Sequence, residues 1–154
     1  MRICLFDTIL DRHVVDSLHR RLTAGGHEVL ATGPVWRGHQ FPTERADLDR
    51  IGATLDEVIA WRPEALFLFR AATLPPELIG RLKRRPVTSL VWLPDAPVLY
   101  DLCYRHIVDL HDIVLHCGGR QILDFYAAQG HPPGINFPFW TDQQVFPRGF
   151  SPDT

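Results

Sequence analysis

"ALFLFRAATLPPELIGRLKRRPVTSLVWLPDAP", residues 65–97, holds two apolar runs separated by a segment of different period. "ALFLF" (65–69) and "VTSLVWL" (87–93) are continuous rather than alternating, as expected of strands buried on both faces. Between them Thr73 and Pro75-Pro76 open a helix, since proline is tolerated in a first turn. Leu78, Ile79 and Leu82 then fall on one helical face. Strand, helix and strand in this order form a parallel pair joined by a right-handed crossover. The second strand stops at Pro94, Asp95 and Pro97, because prolines fix the backbone and remove N–H donors. Asp95 therefore sits at a strand's carboxyl end, where α/β proteins usually hold ligands.

The same alternation extends both ways. Upstream, "RICLF" (2–6) reads as a strand, followed by a helix with Val15, Leu18 and Leu22 that ends at Gly25-Gly26. "HEVLAT" (27–32) is the next strand, and "GPVWRGHQFPTE" (33–44) has no period and reads as a long loop. Leu48, Ile51, Leu55, Val58 and Ile59 form a helical stripe stopped by Pro63. Downstream, a helix is expected after the Pro97 turn, then a strand "DIVLHC" (112–117). Gly118-Gly119 opens a helix carrying Ile122, Leu123 and Tyr126 and ended by Gly130, and "INFPFW" (135–140) closes the series. The pattern predicts an α/β fold: a Rossmann-like three-layer α/β/α sandwich around a mostly parallel sheet.

At 154 residues, with 45% hydrophobic and 22% charged residues, the chain suits one soluble domain with a real core. A net charge of −2 gives no reason to expect nucleic acid or an anionic membrane as partner. The basic run "RLKRRP" (81–86) reads as the solvated end of a helix. Cys4, Cys103 and Cys117 are too few and scattered for a disulfide framework or zinc site, which favours a reducing, cytoplasmic setting. "MRICLFDTIL" lacks the features of a signal peptide, and no run is long enough to span a bilayer. The first strand-to-helix turn, "FDTILDRHV", has neither G-x-G-x-x-G nor a P-loop lysine, which argues against a nicotinamide dehydrogenase. Asp7 alone does not make a phosphoacceptor site, because "LFLFRAA" brings no second acidic residue.

From Leu90 to Pro147 the chain resembles the amino-terminal half of a GT-B glycosyltransferase, closest to the CgeB-like spore-maturation group. The residues that carry the resemblance are Trp92, Asp95 and Pro97 for a strand ending in W-x-x-D-x-P, then Asp112, Ile113 and Val114. Tyr126 with Gly130 follows, then Pro138, and finally Asp142, Phe146 and Pro147. Upstream, "RPEALFLF" is similar to the group's K-P-D-L-V-L strand. The first turn departs from the group in lacking a glycine-rich stretch. The resemblance implies a domain over 1–147, with 148–154 beginning a linker to a second, donor-binding half or forming a tail. It also implies transfer of a sugar from a nucleotide-sugar donor to an acceptor hydroxyl, inactivity of this half alone, and no divalent metal.

Asp95 and His116 are the candidate catalytic residues. Asp95 could take the acceptor hydroxyl's proton or orient that hydroxyl, and it could equally serve as a helix N-cap. His116 ends the "DIVLH" strand; facing a cleft it could bond a donor phosphate or act as a base, and otherwise it packs at the strand end. Gly118 and Gly119 offer N–H groups at a helix start, a generic anion site, or else simply make a tight turn. Cys117 reads as core. The remaining histidines show no metal spacing and are expected mostly on the surface or in loops. Trp36 and Phe41 could stack on an acceptor ring or face a partner domain. Phe139 and Trp140 sit where the resemblance implies the interdomain hinge, so that "INFPFW" could expose an aromatic surface that supports dimerisation. Ordinary core packing is the alternative for all of these rings. A second reading, from another class, is a stand-alone non-enzymatic Rossmann-like binding module.

Overall fold

Among the residues described in the computed structural model, six strands and four α-helices alternate, except that β4 and β5 are joined by 3-10 turns. The structure describes residues 1–7, 12–33, 41–69, 74–94 and 97–138, with backbone alone at Asp7, Arg12 and His13. The elements are β1 (Arg2–Asp7), α1 (Arg12–Ala24), β2 (Glu28–Ala31), α2 (Arg45–Trp61), β3 (Ala65–Phe69) and α3 (Pro76–Leu82). They continue with β4 (Thr88–Leu93), β5 (Ile113–His116), α4 (Arg120–Ala128) and β6 (Ile135–Asn136). The sheet order is β2-β1-β3-β4-β5-β6, and every neighbouring pair is parallel. The chain steps outward from β1 to β2 and then crosses back to β3. The order thus reverses at β1, as in doubly wound sheets.

Side-chain alternation along each strand builds two cores. Cys4, Phe6, Leu66, Leu68, Val91, Leu93 and Val114 point to one face, under α2, α3 and α4. Leu5, Phe69, Trp92 and Leu115 point to the other, against Val15, Leu18 and Leu22 of α1. This arrangement explains the continuous apolar runs of the central strands β1, β3, β4 and β5, which carry core residues on both faces, whereas the edge strands β2 and β6 keep exposed positions. Burial raises the Cys4 thiol to about 12, so it acts as a small hydrophobe rather than a reactive group.

Three local expectations are modified. The helix expected after Pro97 is a stretch of turns followed by two 3-10 turns, Tyr104–His106 and Val108–Leu110. Leu99, Cys103, Tyr104, Ile107 and Val108 keep a helix's burial spacing. However, the Leu99 carbonyl accepts Cys103 N, Tyr104 N and Cys103 Sγ together, which widens the coil at that point. Of "INFPFW", the described part is a strand over Ile135–Asn136, and Pro138 cannot donate to a ladder. "DIVLHC" shortens to Ile113–His116, because Cys117 leaves the ladder and its thiol donates to the Pro94 carbonyl at 2.8 Å.

At the amino end of the sheet, Asp112 ties β5 to β4. Its Oδ2 accepts both the Ser89 N–H and the Ser89 hydroxyl at 2.8 Å, and its Oδ1 accepts from Lys83 Nζ at 3.1 Å. The Ser89 N–H, opposed in part by desolvation and helped by the hydroxyl and Lys83, holds the carboxyl down at about 2. A carboxyl depressed from 3.8 contributes stability above that value and loses it as pH falls through about 2. With the side chain 44% exposed, Asp112→Asn is expected to cost about 1 kcal/mol at pH 7. Urea denaturation at pH 7, 4 and 2 checks this, and the deficit should vanish at the lowest pH.

Candidate functional site

The carboxyl ends of all six strands lie on one edge of the sheet, because all run parallel. Asp95, the first candidate, lies outside the described residues, as do Trp36, Phe139, Trp140, Asp142, Phe146 and Pro147. Its described neighbour Pro94 is half-buried and joined to Cys117 through the thiol contact, which links the ends of β4 and β5.

His116 does not open onto a cleft. It is 0% exposed, and its ring packs 4.2 Å from the Tyr126 ring. On another side Gly134 presses so close that a Cβ there would stand 2.5 Å from Cδ2 and 2.8 Å from Nε2. Neither ring nitrogen has a hydrogen-bond partner among the described residues. Burial, and then the neighbouring charge of His131, push the imidazole from 6.5 down to about 4. A neutral, enclosed imidazole cannot meet a phosphate as a cation, and its basicity falls well short of neutral pH. Alternation explains the placement: His116 shares a face with Val114, two residues back and under α4.

Gly118 and Gly119 are both demanded by sterics. A Cβ on Gly118 would lie 2.0 Å from Ile122 Cγ1, and Gly119 has φ +69°. The Gly119 N–H is already taken, donating to Asn136 Oδ1 at 3.1 Å. Its carbonyl accepts Ile122 N and Leu123 N and so starts α4. The turn joins the start of α4 to edge strand β6, whose Ile135 is 53% exposed and is followed by Phe137 at 37%. These two residues are the exposed apolar part of "INFPFW" within the described region.

Sequence reasoning missed a hydrogen-bonded relay on the α4 side. His131 Nδ1 lies 2.8 Å from Asp109 Oδ1, and His131 Nε2 lies 2.7 Å from the Tyr100 hydroxyl. A carboxylate can only accept, so Nδ1 donates to Asp109, and Nε2 shares a hydrogen bond with the phenol. Tyr100 meets Phe125 and Tyr126 edge-on, at 5.0 and 5.3 Å between ring centroids. The relay fastens the irregular 97–110 segment to the α4–β6 connection. His131, a loop residue by sequence, has a side chain only 8% exposed. His111 is buried as well, with both nitrogens unpartnered among the described residues, and burial plus the Lys83 charge lower it to about 4 despite Asp112 nearby. Asp109 precedes His131 by 22 residues, so no local spacing could have signalled their pairing.

Among the described residues, no three His, Cys, Asp or Glu side chains gather in a way that could hold a metal ion. No helix there is long and apolar enough to cross a membrane. Fold and edge geometry define the class: a doubly wound, all-parallel α/β domain of Rossmann-like type. No protein-family model matches the chain, and no curated protein matches it.

Proposed function

We propose that this chain is the amino-terminal, acceptor-side half of a GT-B glycosyltransferase, nearest to the CgeB-like group. The observation that carries the reading is the six-stranded parallel sheet with every carboxyl end on one edge, the edge such a domain turns toward its ligands. The ordered series Trp92, Asp95, Pro97, Asp112, Tyr126, Gly130 and Pro138 supports it from the sequence. In this reading a second half brings the nucleotide-sugar donor. The acceptor oxygen forms a bond to the anomeric carbon, the bond to the nucleoside diphosphate breaks, and Asp95 takes the hydroxyl proton. His116 contributes by supporting β6 and α4 from beneath rather than by proton transfer.

A second reading, a non-enzymatic binding module, draws on one observation: packing alone accounts for His116, Gly118 and Gly119. One experiment separates the two. The complete reading frame and the 154-residue chain are assayed side by side with uridine, guanosine and thymidine diphosphate sugars, by calorimetry and by nucleoside-diphosphate release. The longer protein is expected to bind and turn over one donor, the short chain to do neither, and Asp95→Asn to slow turnover by about 100-fold or more. Micromolar donor binding by the short chain would overturn the proposal. So would a reading frame with no second βα series.

A further inference from the structure

The opposite edge of the sheet holds a cavity of about 400 Å³, within the size range of small-molecule sites. Its apolar wall is Val58 and Ile59 from the end of α2, Leu66 of β3, Leu82 of α3, and Val87. Val58, Leu66 and Leu82 are otherwise core residues, so the cavity reaches the main hydrophobic cluster. Three charged residues also line it: Arg62, Arg85 and Glu64. The Glu64 carboxylate is engaged, accepting the Arg2 N–H at 2.7 Å.

The two arginines are not engaged. Elsewhere in the basic run, Arg81 pairs with Asp56 and Lys83 with Asp112 and the Leu110 carbonyl. Among the described residues, no carboxylate or carbonyl partners the guanidinium of Arg62 or Arg85, and both residues are exposed. Arg62 also stands in the left-handed region at φ 58°, closing α2 with its N–H on the Ile59 carbonyl. It is the only non-glycine residue with positive φ among those described. Glycine is the usual occupant of such a helix stop, and an arginine there is held in a strained backbone conformation. Attraction to the carbonyl ends of α2 and α3 accounts for a cation in this region, but not for this residue in that conformation. Both arginines line the cavity, and a guanidinium presents a fork of donors matched to a carboxylate.

We propose that this cavity binds a small acyl carboxylate, its chain against Val58, Leu66, Leu82 and Val87 and its carboxylate on Arg62 and Arg85. The site lies at the sheet edge remote from the strands' carboxyl ends and is independent of sugar transfer. The test titrates octanoate, 1-octanol and inorganic phosphate into the intact chain by calorimetry, with Arg62→Gly and Arg85→Ala alongside. Octanoate is expected to bind at least tenfold more tightly than 1-octanol, and phosphate not measurably. Each variant should weaken octanoate about tenfold and leave 1-octanol unchanged. Arg62→Gly relieves the left-handed backbone, so it should melt no lower than the parent, which separates lost binding from lost fold. Equal binding of octanoate and 1-octanol would overturn the proposal, showing arginines that answer only the helix ends. Phosphate binding as strong as octanoate, no octanoate binding, or no effect of either variant would also overturn it.

Discussion

Between pH 6.5 and 4 the folded chain is expected to lose several kcal/mol of stability, because two imidazoles are held neutral by burial and take up protons when unfolding exposes them. His111 and His116 are 7% and 0% exposed, and each is held near 4 against an ordinary value of 6.5. The unfolded chain therefore takes up protons first, and stability falls as pH drops through this window. Above 6.5 the contribution is complete; below about 4 both states are protonated and the loss levels off. A depression of this size corresponds to roughly 3 kcal/mol per histidine, a large share of a domain's usual 5–15 kcal/mol. Urea midpoints measured from pH 7 to 4 should show close to two protons bound on unfolding. His111→Leu and His116→Leu should each remove about one proton from that slope. A stability independent of pH across the window would refute buried, neutral histidines at these positions.

Gly134→Ala should be the most damaging single-methyl change at the β6 edge. The added carbon would come within 2.5 Å of the His116 ring and 3.2 Å of the Val114 carbonyl. The ring cannot retreat, since Tyr126 lies 4.2 Å from it and is itself 0% exposed. Overpacking of this kind costs about 1–3 kcal/mol, and the upper end is expected where the obstructing ring is fully enclosed. A double-mutant cycle makes the cause specific. His116→Ala alone leaves a cavity, but combined with Gly134→Ala it should recover much of the alanine's penalty, giving a coupling of about 1 kcal/mol or more. Strict additivity of the two changes in thermal or urea denaturation would mean that the glycine is needed for some other reason.

Much of the resemblance series turns out to carry fold. Trp92 is 1% exposed, and its indole N–H donates to the Phe137 carbonyl at 3.3 Å, which fixes the chain beyond β6. Tyr126 is core, in contact with His116, Tyr100 and His131. Asp112 fastens β5 to β4 through Ser89. Each serves to hold strands in register at positions where a sequence motif suggests recognition. His116 shows the same limit from the other direction. Its place at a strand end was readable, but whether a strand-end side chain faces solvent or a helix depends on the covering element. Here α4 and Gly134 cover it.

By itself the sequence determined the order of strands and helices except for the segment after Pro97, together with the parallel sheet and the glycine stops, since these follow from local periodicity and backbone sterics acting over a few residues. Tertiary structure alone decided which histidines are buried, that Asp109 and Tyr100 meet on His131, and that Arg62 and Arg85 line one cavity. Those outcomes depend on crossovers that bring distant segments together, and burial and electrostatic environment exist only once those segments have packed.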